Sequence, residues 1–203
     1  MQTTISLECE MEITDSETYE NTTFKSLDLV GKSLKNCVFE DVVFDSCDFS
    51  KSDCQGTDFN ECRFKSCNLS LVNLRGCRLQ YVVFETCKIV GLTFNPSDKF
   101  IVGVSFLQCI LQTCNFADLK LKRTSFAGSK IREVHFTSTD LSEANFTETD
   151  LLGTVFHQCQ LVKADFRNAQ NYLINLQTNN VKKAQFSLPE ALSLLQYFDI
   201  VIS

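Results

Sequence analysis

Glycine and proline are scarce in this chain of 203 residues, seven and two respectively. Flexible or extended linkers draw on those residues, so a long linker is not expected. No apolar run approaches the ~18 residues that a membrane-spanning helix needs. The first residues, MQTTISLECE, lack the basic start and apolar core of a secretory leader. A cytoplasmic protein without a membrane partner is the expectation. Also missing are a phosphate-binding glycine loop, a nucleophile elbow and an H-E-x-x-H pair. His135 and His157 are the only histidines, too few for a metal centre without further ligands. The chain is therefore read as a non-enzyme with no cofactor. At 44% hydrophobic and 22% charged, it is long enough for one domain with a substantial core.

Cysteine, by contrast, is abundant. There are eleven, an odd number with no CxxC pair, in a chain that nothing directs to an oxidising compartment. Their placement belongs to a larger pattern. In CVFEDVVFDSCDF, Cys37 to Phe49, phenylalanine recurs every five residues, a period that fits neither a helix nor a flat strand. With the central residue of each unit numbered i, the series runs from Phe24 to Phe94. It slips by two residues and resumes at Ile101, continues to Phe166, is interrupted at Asn171, and ends with Leu176, Val181 and Phe186. Position i−2 holds small residues and nine of the eleven cysteines. All seven glycines stand at i+2, where a turn with positive φ is expected.

A second period sets the architecture. Every fourth central residue is Phe24, Phe44, Phe64, Phe84, Phe106, Phe126, Phe146, Phe166 and Phe186. Four units of five thus make a four-sided coil of about 20 residues, with i and i−2 inward and the other positions outward. Coils stacked at strand spacing, ~4.8 Å, give a rod of about eight coils and roughly 40 Å. Cys47, Cys67, Cys87 and Cys109 stack on one side. Parallel side chains hold their Cβ atoms near ~4.8 Å, beyond the ~3.8 Å of a disulfide, so they read as small buried hydrophobes.

The pattern A/C/S/T/V-x-F/L-x-x resembles the pentapeptide-repeat family over residues 24–186, most closely in ETDLLGTVFHQCQLVKADF, Glu148 to Phe166. The resemblance implies an all-β solenoid, a right-handed quadrilateral β-helix. Asn95, Pro96, Ser97, Asp98 and Lys99 form the one interrupting loop, so the chain is similar to the nearly loopless members.

The ends depart from the repeat. ISLECEMEI alternates apolar Ile5, Leu7, Cys9, Met11 and Ile13 with acids, as a half-buried cap strand would, and 1–23 is read as the N-terminal cap. In 187–203, Ser187 and Glu190 match a helix capping box and Pro189 a first helical turn, so a short C-terminal helix is expected, followed by a short strand at 200–202. Leu188, Leu192, Leu195 and Phe198, with Ile200 and Ile202 beyond them, supply more apolar surface than a solenoid cap requires. A two-fold homodimer through this tail accounts for the excess. The order Ala191, Ser193, Leu194, Leu195, Ile200, Ile202 is also similar to the C-terminus of the quinolone-resistance class of pentapeptide proteins. That likeness implies an end-to-end dimer that mimics DNA and binds a type II topoisomerase, DNA gyrase or topoisomerase IV. Such a protein would protect the enzyme from quinolones or a gyrase-directed toxin without itself binding nucleic acid.

Charge is banded. Residues 1–62 carry net −10, 63–132 net +8, 133–166 net −5 and the remainder net +1. A dimer about 80 Å long would carry −12, where DNA of that length carries roughly −47. Mimicry would thus rest on shape and local acidic bands. The candidates are Asp28, Glu40, Asp41, Asp45, Asp48, Asp53, Asp58, Asp140, Glu143, Glu148 and Asp150. The basic middle band fits the alternative equally well, a scaffold or regulator whose solenoid sides bind another protein.

Overall fold

The computed structural model describes residues 13–94, 101–198 and 200. Strands of two or three residues alternate with turns and pair in parallel, each with the strand one coil away. Thr18–Glu20 pairs with Val38–Glu40, which pairs with Asp58–Asn60 and then Arg78–Gln80. Regular pairing thus begins five residues ahead of Phe24. On the next side Phe24 stands over Phe44, and Phe44 over Phe64 and Phe84. The result is a right-handed quadrilateral β-helix, an all-β solenoid of about eight coils. Its four faces are named here by their first described central residues, Tyr19, Phe24, Leu29 and Leu34.

The pattern of burial explains the period. Residues i and i−2 are buried in almost every unit, and the others meet solvent. The Phe24 column is stacked throughout, with centroids 4.8 to 5.5 Å apart and near-parallel rings. Offset-stacked rings add to the burial of each phenylalanine. A second aromatic column changes sides. Tyr19, Phe39 and Phe59 stack on the first face, whereas Phe94, Phe116, Phe136 and Phe156 stack on the Leu34 face further along. From the first coil to that of Phe146 and Phe156, rings thus stand on at least two faces while the second column shifts.

The corners at i+2 take positive φ whether or not glycine is present, as at Leu71 (φ 59°) and Tyr81 (φ 55°). One glycine is needed for space as well: a Cβ on Gly103 would lie 2.6 Å from the Tyr81 ring below it. The two-residue slip is absorbed between faces. Leu79 pairs with Ile101 and Phe84 with Phe106, 22 residues on instead of 20, and the register then continues. Asn95 to Lys99 themselves and the tail residue Ile202 lie outside the described residues, as does the strand expected over 5–13 except for its last residue, Ile13, which is buried.

Three expectations need correction near the C-terminus. Leu176 does not continue the series. Ile174 stands over Phe156, with Tyr172 buried beside it, and Leu176 is only half-buried. The chain reaches that face two residues early because Tyr172-x-Ile174 takes the inward i−2 and i places, and regains register at Gln160↔Asn180 and Phe166↔Phe186. The helix is a 3-10 helix, Glu190–Leu195, preceded by Pro189 at its N-cap. The capping box does not form. The Ser187 oxygen accepts the Asn168 N–H at 3.2 Å, and Glu190 Oε1 accepts the Asn171 N–H at 2.7 Å. Both donors lie just where the covering coil, which continues as far as Phe186, gives way to the helix.

Candidate interaction surfaces

The inward i−2 position is a site of hydrogen bonding as well as packing. Ser129, Thr139, Thr149 and Thr154 each donate their hydroxyl to the carbonyl 23 residues back, at 2.8 to 3.1 Å. Thr57 makes the same bond to Leu34. The thiols of Cys62, Cys67 and Cys87 point at the equivalent carbonyls at 3.3 to 3.4 Å. The position thus favours a small side chain with one polar hydrogen. Burial pushes the Cys62 thiol up to about 11 and the Cys54 thiol up to about 12. The reactive thiolate is suppressed at these sites.

The acidic candidates separate into two groups. Asp53 is paired with Lys35 (2.9 Å), Asp58 with Arg78 (3.4 Å), Asp150 with Arg132 (2.9 Å), and Glu143 with Arg123 and Lys122 (3.0 and 3.5 Å). The hydrogen bond from Arg123 holds the Glu143 carboxyl below its ordinary range. Asp28, Glu40, Asp41, Asp45, Asp48, Asp140 and Glu148 form no ion pair among the described residues. Asp28 and Asp48 stack in register on the Leu29 face. Asp48 is partly desolvated, yet hydrogen bonds from Ser50 and Asn68 keep its carboxyl below the usual range. Asp45 and Glu148 line opposite ends of a shallow groove of about 560 Å³ along the corner after the Phe24 face. Ala127 and Gly128 leave room there.

His135 and His157 share the Leu34 face but not one flank: His135 stands opposite Val155, and His157 opposite Thr137. Among the described residues no three His, Cys, Asp or Glu side chains are placed to hold a metal ion.

At the C-terminal end, Leu194 is buried against the last coil, and Ala191 packs there too. The Ser193 hydroxyl donates to the Tyr172 carbonyl at 3.1 Å. These contacts seat the helix and leave its other side bare. Leu188 is 78% exposed, Ile200 55%, Leu192 49% and Phe198 40%, with Leu195 half-buried beside them. Tyr172 is fully buried next to this cap, and burial pushes its hydroxyl up to about 12. Its oxygen is the one buried side-chain polar atom without a hydrogen-bond partner among the described residues.

A stack of five-residue edges with a small donor at i−2 and a bulky residue at i defines a pentapeptide-repeat solenoid. The family model for the pentapeptide repeat region matches residues 37–109 and 101–186, and the chain belongs to that family. Among solved structures, HetL is similar. It is a pentapeptide repeat protein involved in heterocyst differentiation regulation in the cyanobacterium Nostoc sp. strain PCC 7120, with 15% identity and TM-score 0.55, covering 87% of this chain and 88% of HetL. Trypsin-treated QnrB1, a plasmid-mediated fluoroquinolone resistance protein, is similar at 17% identity and TM-score 0.49, covering 93% of this chain and 98% of QnrB1. No curated protein sequence matches the chain. The likeness to HetL speaks for the fold. No described helix is long and apolar enough to cross a membrane.

Sequence reasoning missed two features. One is the replacement of backbone acceptors by Ser187 and Glu190. The other is the distribution of charge by face, which sorting residues on a 20-residue period would have exposed.

Proposed function

We propose that two copies of this protein join through the C-terminal tail and that the rod so formed binds a type II topoisomerase, DNA gyrase or topoisomerase IV, as a cytoplasmic mimic of DNA. Binding protects the enzyme from quinolones or a gyrase-directed toxin. The carrying observation is the bare apolar end made by Leu188, Leu192, Phe198 and Ile200, with Leu195 at its edge. A patch of that kind at one end of a smooth rod needs a partner of its own shape, and a second copy supplies it. The partner class is supported by the likeness of the tail to the quinolone-resistance class. Asp28, Glu40, Asp41 and Asp45 add to it, since these acids of the N-terminal half remain unpaired among the described residues.

The test is a gyrase supercoiling assay with and without ciprofloxacin. Added protein should relieve the drug or compete with DNA. Leu192→Asp with Leu195→Asp should remain folded, sediment as a monomer and lose the effect. No rescue and no inhibition over a broad titration would leave the second reading, a scaffold that binds another protein through its sides. The pairing of Asp53, Asp58, Glu143 and Asp150 with neighbouring bases favours that reading, because it flattens the acidic field a DNA mimic would present.

A further inference from the structure

Sorting the charges by face shows one polar side. On the Tyr19 face and the corner after it, the first three levels present Glu20, Glu40, Asp41, Asp58 and Glu61 and no lysine or arginine. From the level of Leu121 to that of Val181, the same side carries Lys120, Lys122, Arg123, Lys163, Lys182 and Lys183 against Asp140 and Glu143. With Arg78 between them, the face holds seven acids and seven bases, in a chain of net charge −6. It is neutral in sum and separated along the rod. Elsewhere the signs are mixed, as in Lys25, Asp45, Lys65 and Glu85 on successive levels of the Phe24 face. Internal ion pairs do not cancel the separation. Glu40, Asp41, Glu61, Lys163, Lys182 and Lys183 are exposed and take part in none among the described residues.

We propose that this face docks, antiparallel, on the same face of a second copy. A two-fold axis lying in the interface and perpendicular to the rods keeps like positions opposite one another, i+1 facing i+1 and i+2 facing i+2. With the axis between the levels of Ile101 and Leu121, Glu40 and Asp41 lie across from Lys182 and Lys183. Glu61 lies across from Lys163, and Arg78 from Asp140. Symmetry makes every one of these pairings twice. The charges also specify the register. Moving the axis half a level toward the N-terminus opposes Glu61 with Glu143 and Arg78 with Lys120. Moving it half a level the other way leaves Glu40 and Asp41 without partners. Flat, parallel-stranded faces of this kind offer a repeating lattice of side chains at ~4.8 Å, so matched columns can meet without backbone change. Exposed ion pairs are individually weak and screened by salt, so the pairing is of low affinity and ionic-strength dependent. It needs neither the tail nor the partner enzyme.

Sedimentation velocity on the full chain and on the Leu192→Asp, Leu195→Asp variant tests it, the second isolating the lateral contact. In about 50 mM salt the variant should self-associate at high micromolar concentration, and in about 500 mM it should fall apart. Glu40→Lys with Asp41→Lys, added to that variant, should weaken association by about tenfold or more, as should Lys182→Glu with Lys183→Glu. An equimolar mixture of the two should regain it, since every pairing is then opposite in sign again. Glu61→Lys and Lys163→Glu form a second swap pair should either double change disturb the fold by circular dichroism. Association that persists in both swap variants, or a mixture that stays apart, overturns the proposal. So does a parent variant that remains monomeric at low salt, which would assign the polar face to a different partner.

Discussion

The stacked coils and the last coil with its tail are built from the same unit but end their backbone hydrogen bonds differently. Within the stack, the N–H at a corner donates to a carbonyl 19 residues ahead, as Ser16 does to Lys35 and Lys163 does to Lys182, or 21 ahead across the two-residue slip, as Thr86 does to Leu107. Asn168 and Asn171 would find theirs at positions 187 and 190. The chain leaves the coil there to form the 3-10 helix, and the side-chain oxygens of Ser187 and Glu190 arrive at the same 19-residue offset. Asn179 makes a similar accommodation at the inward position. Its amide donates to the Phe156 carbonyl 23 residues back and its oxygen accepts the Cys159 N–H. A repeat therefore specifies itself only where another repeat follows. At its end, side chains must supply what the next coil's backbone would have given.

The strongest way to break the comparison is through the phenylalanine column. Phe126 is fully buried and stacked on Phe106 at 5.3 Å and Phe146 at 4.9 Å. Phe186 at the end of the same column is half-buried, with Phe166 stacked on one side at 5.2 Å. Phe126→Ala should cost about 3–5 kcal/mol in urea unfolding, and Phe186→Ala clearly less. Equal losses would mean that the end of the column is as tightly enclosed as its middle.

This contrast also marks what was legible beforehand. The stack could be read because burial at i and i−2 leaves a period of five that neither a helix nor a flat strand has, and Phe24, Phe44 and Phe64 announce a 20-residue turn. Leu176 was misread because counting by fives assumes that every edge is equally long. Tyr172-x-Ile174 carried the inward spacing, but a tyrosine is far larger than the residues usual at i−2. The use of Ser187 and Glu190 was hidden by ambiguity of chemistry. The same pair matches a capping box, and only the orphaned Asn168 and Asn171 donors decide between the two. The apolar tail was visible as composition. Which of its residues would be bare depended on Leu194, and not Leu192 or Leu195, being the one driven against the coil.

A second test uses pH. Cys54 and Cys62 are raised in the fold to about 12 and about 11, from 9.0. A buried acid with a raised value keeps its full contribution below the unfolded value and loses it as pH climbs toward the folded one, because the unfolded chain releases the proton first. Stability should hold up to pH 9 and then fall between 9 and about 12 by about 1.4 kcal/mol per pH unit for each such thiol. Cys54→Ala with Cys62→Ala should flatten the decline. An alkaline limb that is unchanged in the double variant would show that these thiols ionise as readily in the fold as in the open chain.

Smaller again is the inward hydroxyl. Thr149 donates to the Phe126 carbonyl at 3.1 Å from a buried position. Thr149→Val keeps the shape and removes the donor, and should cost about 1–2 kcal/mol. Thr149→Cys should recover part of that loss, since Cys47, Cys67, Cys87 and Cys109 occupy the equivalent place on earlier coils of the same face. No difference between valine and cysteine would reduce the position to a question of size.

The smallest effect belongs to the end of the chain. Ser187→Ala removes the acceptor for Asn168, and Glu190→Ala the acceptor for Asn171. Both N–H groups are at the rim and can turn to water, so each change should cost about 0.5–1 kcal/mol. The more telling measurement is local. Amide exchange at Asn168 and Asn171 should accelerate in the corresponding variant, while Lys163, whose acceptor is the Lys182 carbonyl, keeps its protection. If Glu190→Ala instead exposed the amides along the Leu29 face as far as Leu151, the terminal coil would open as a unit with the tail. The two side-chain acceptors would then be closing the whole solenoid and not just its last two donors.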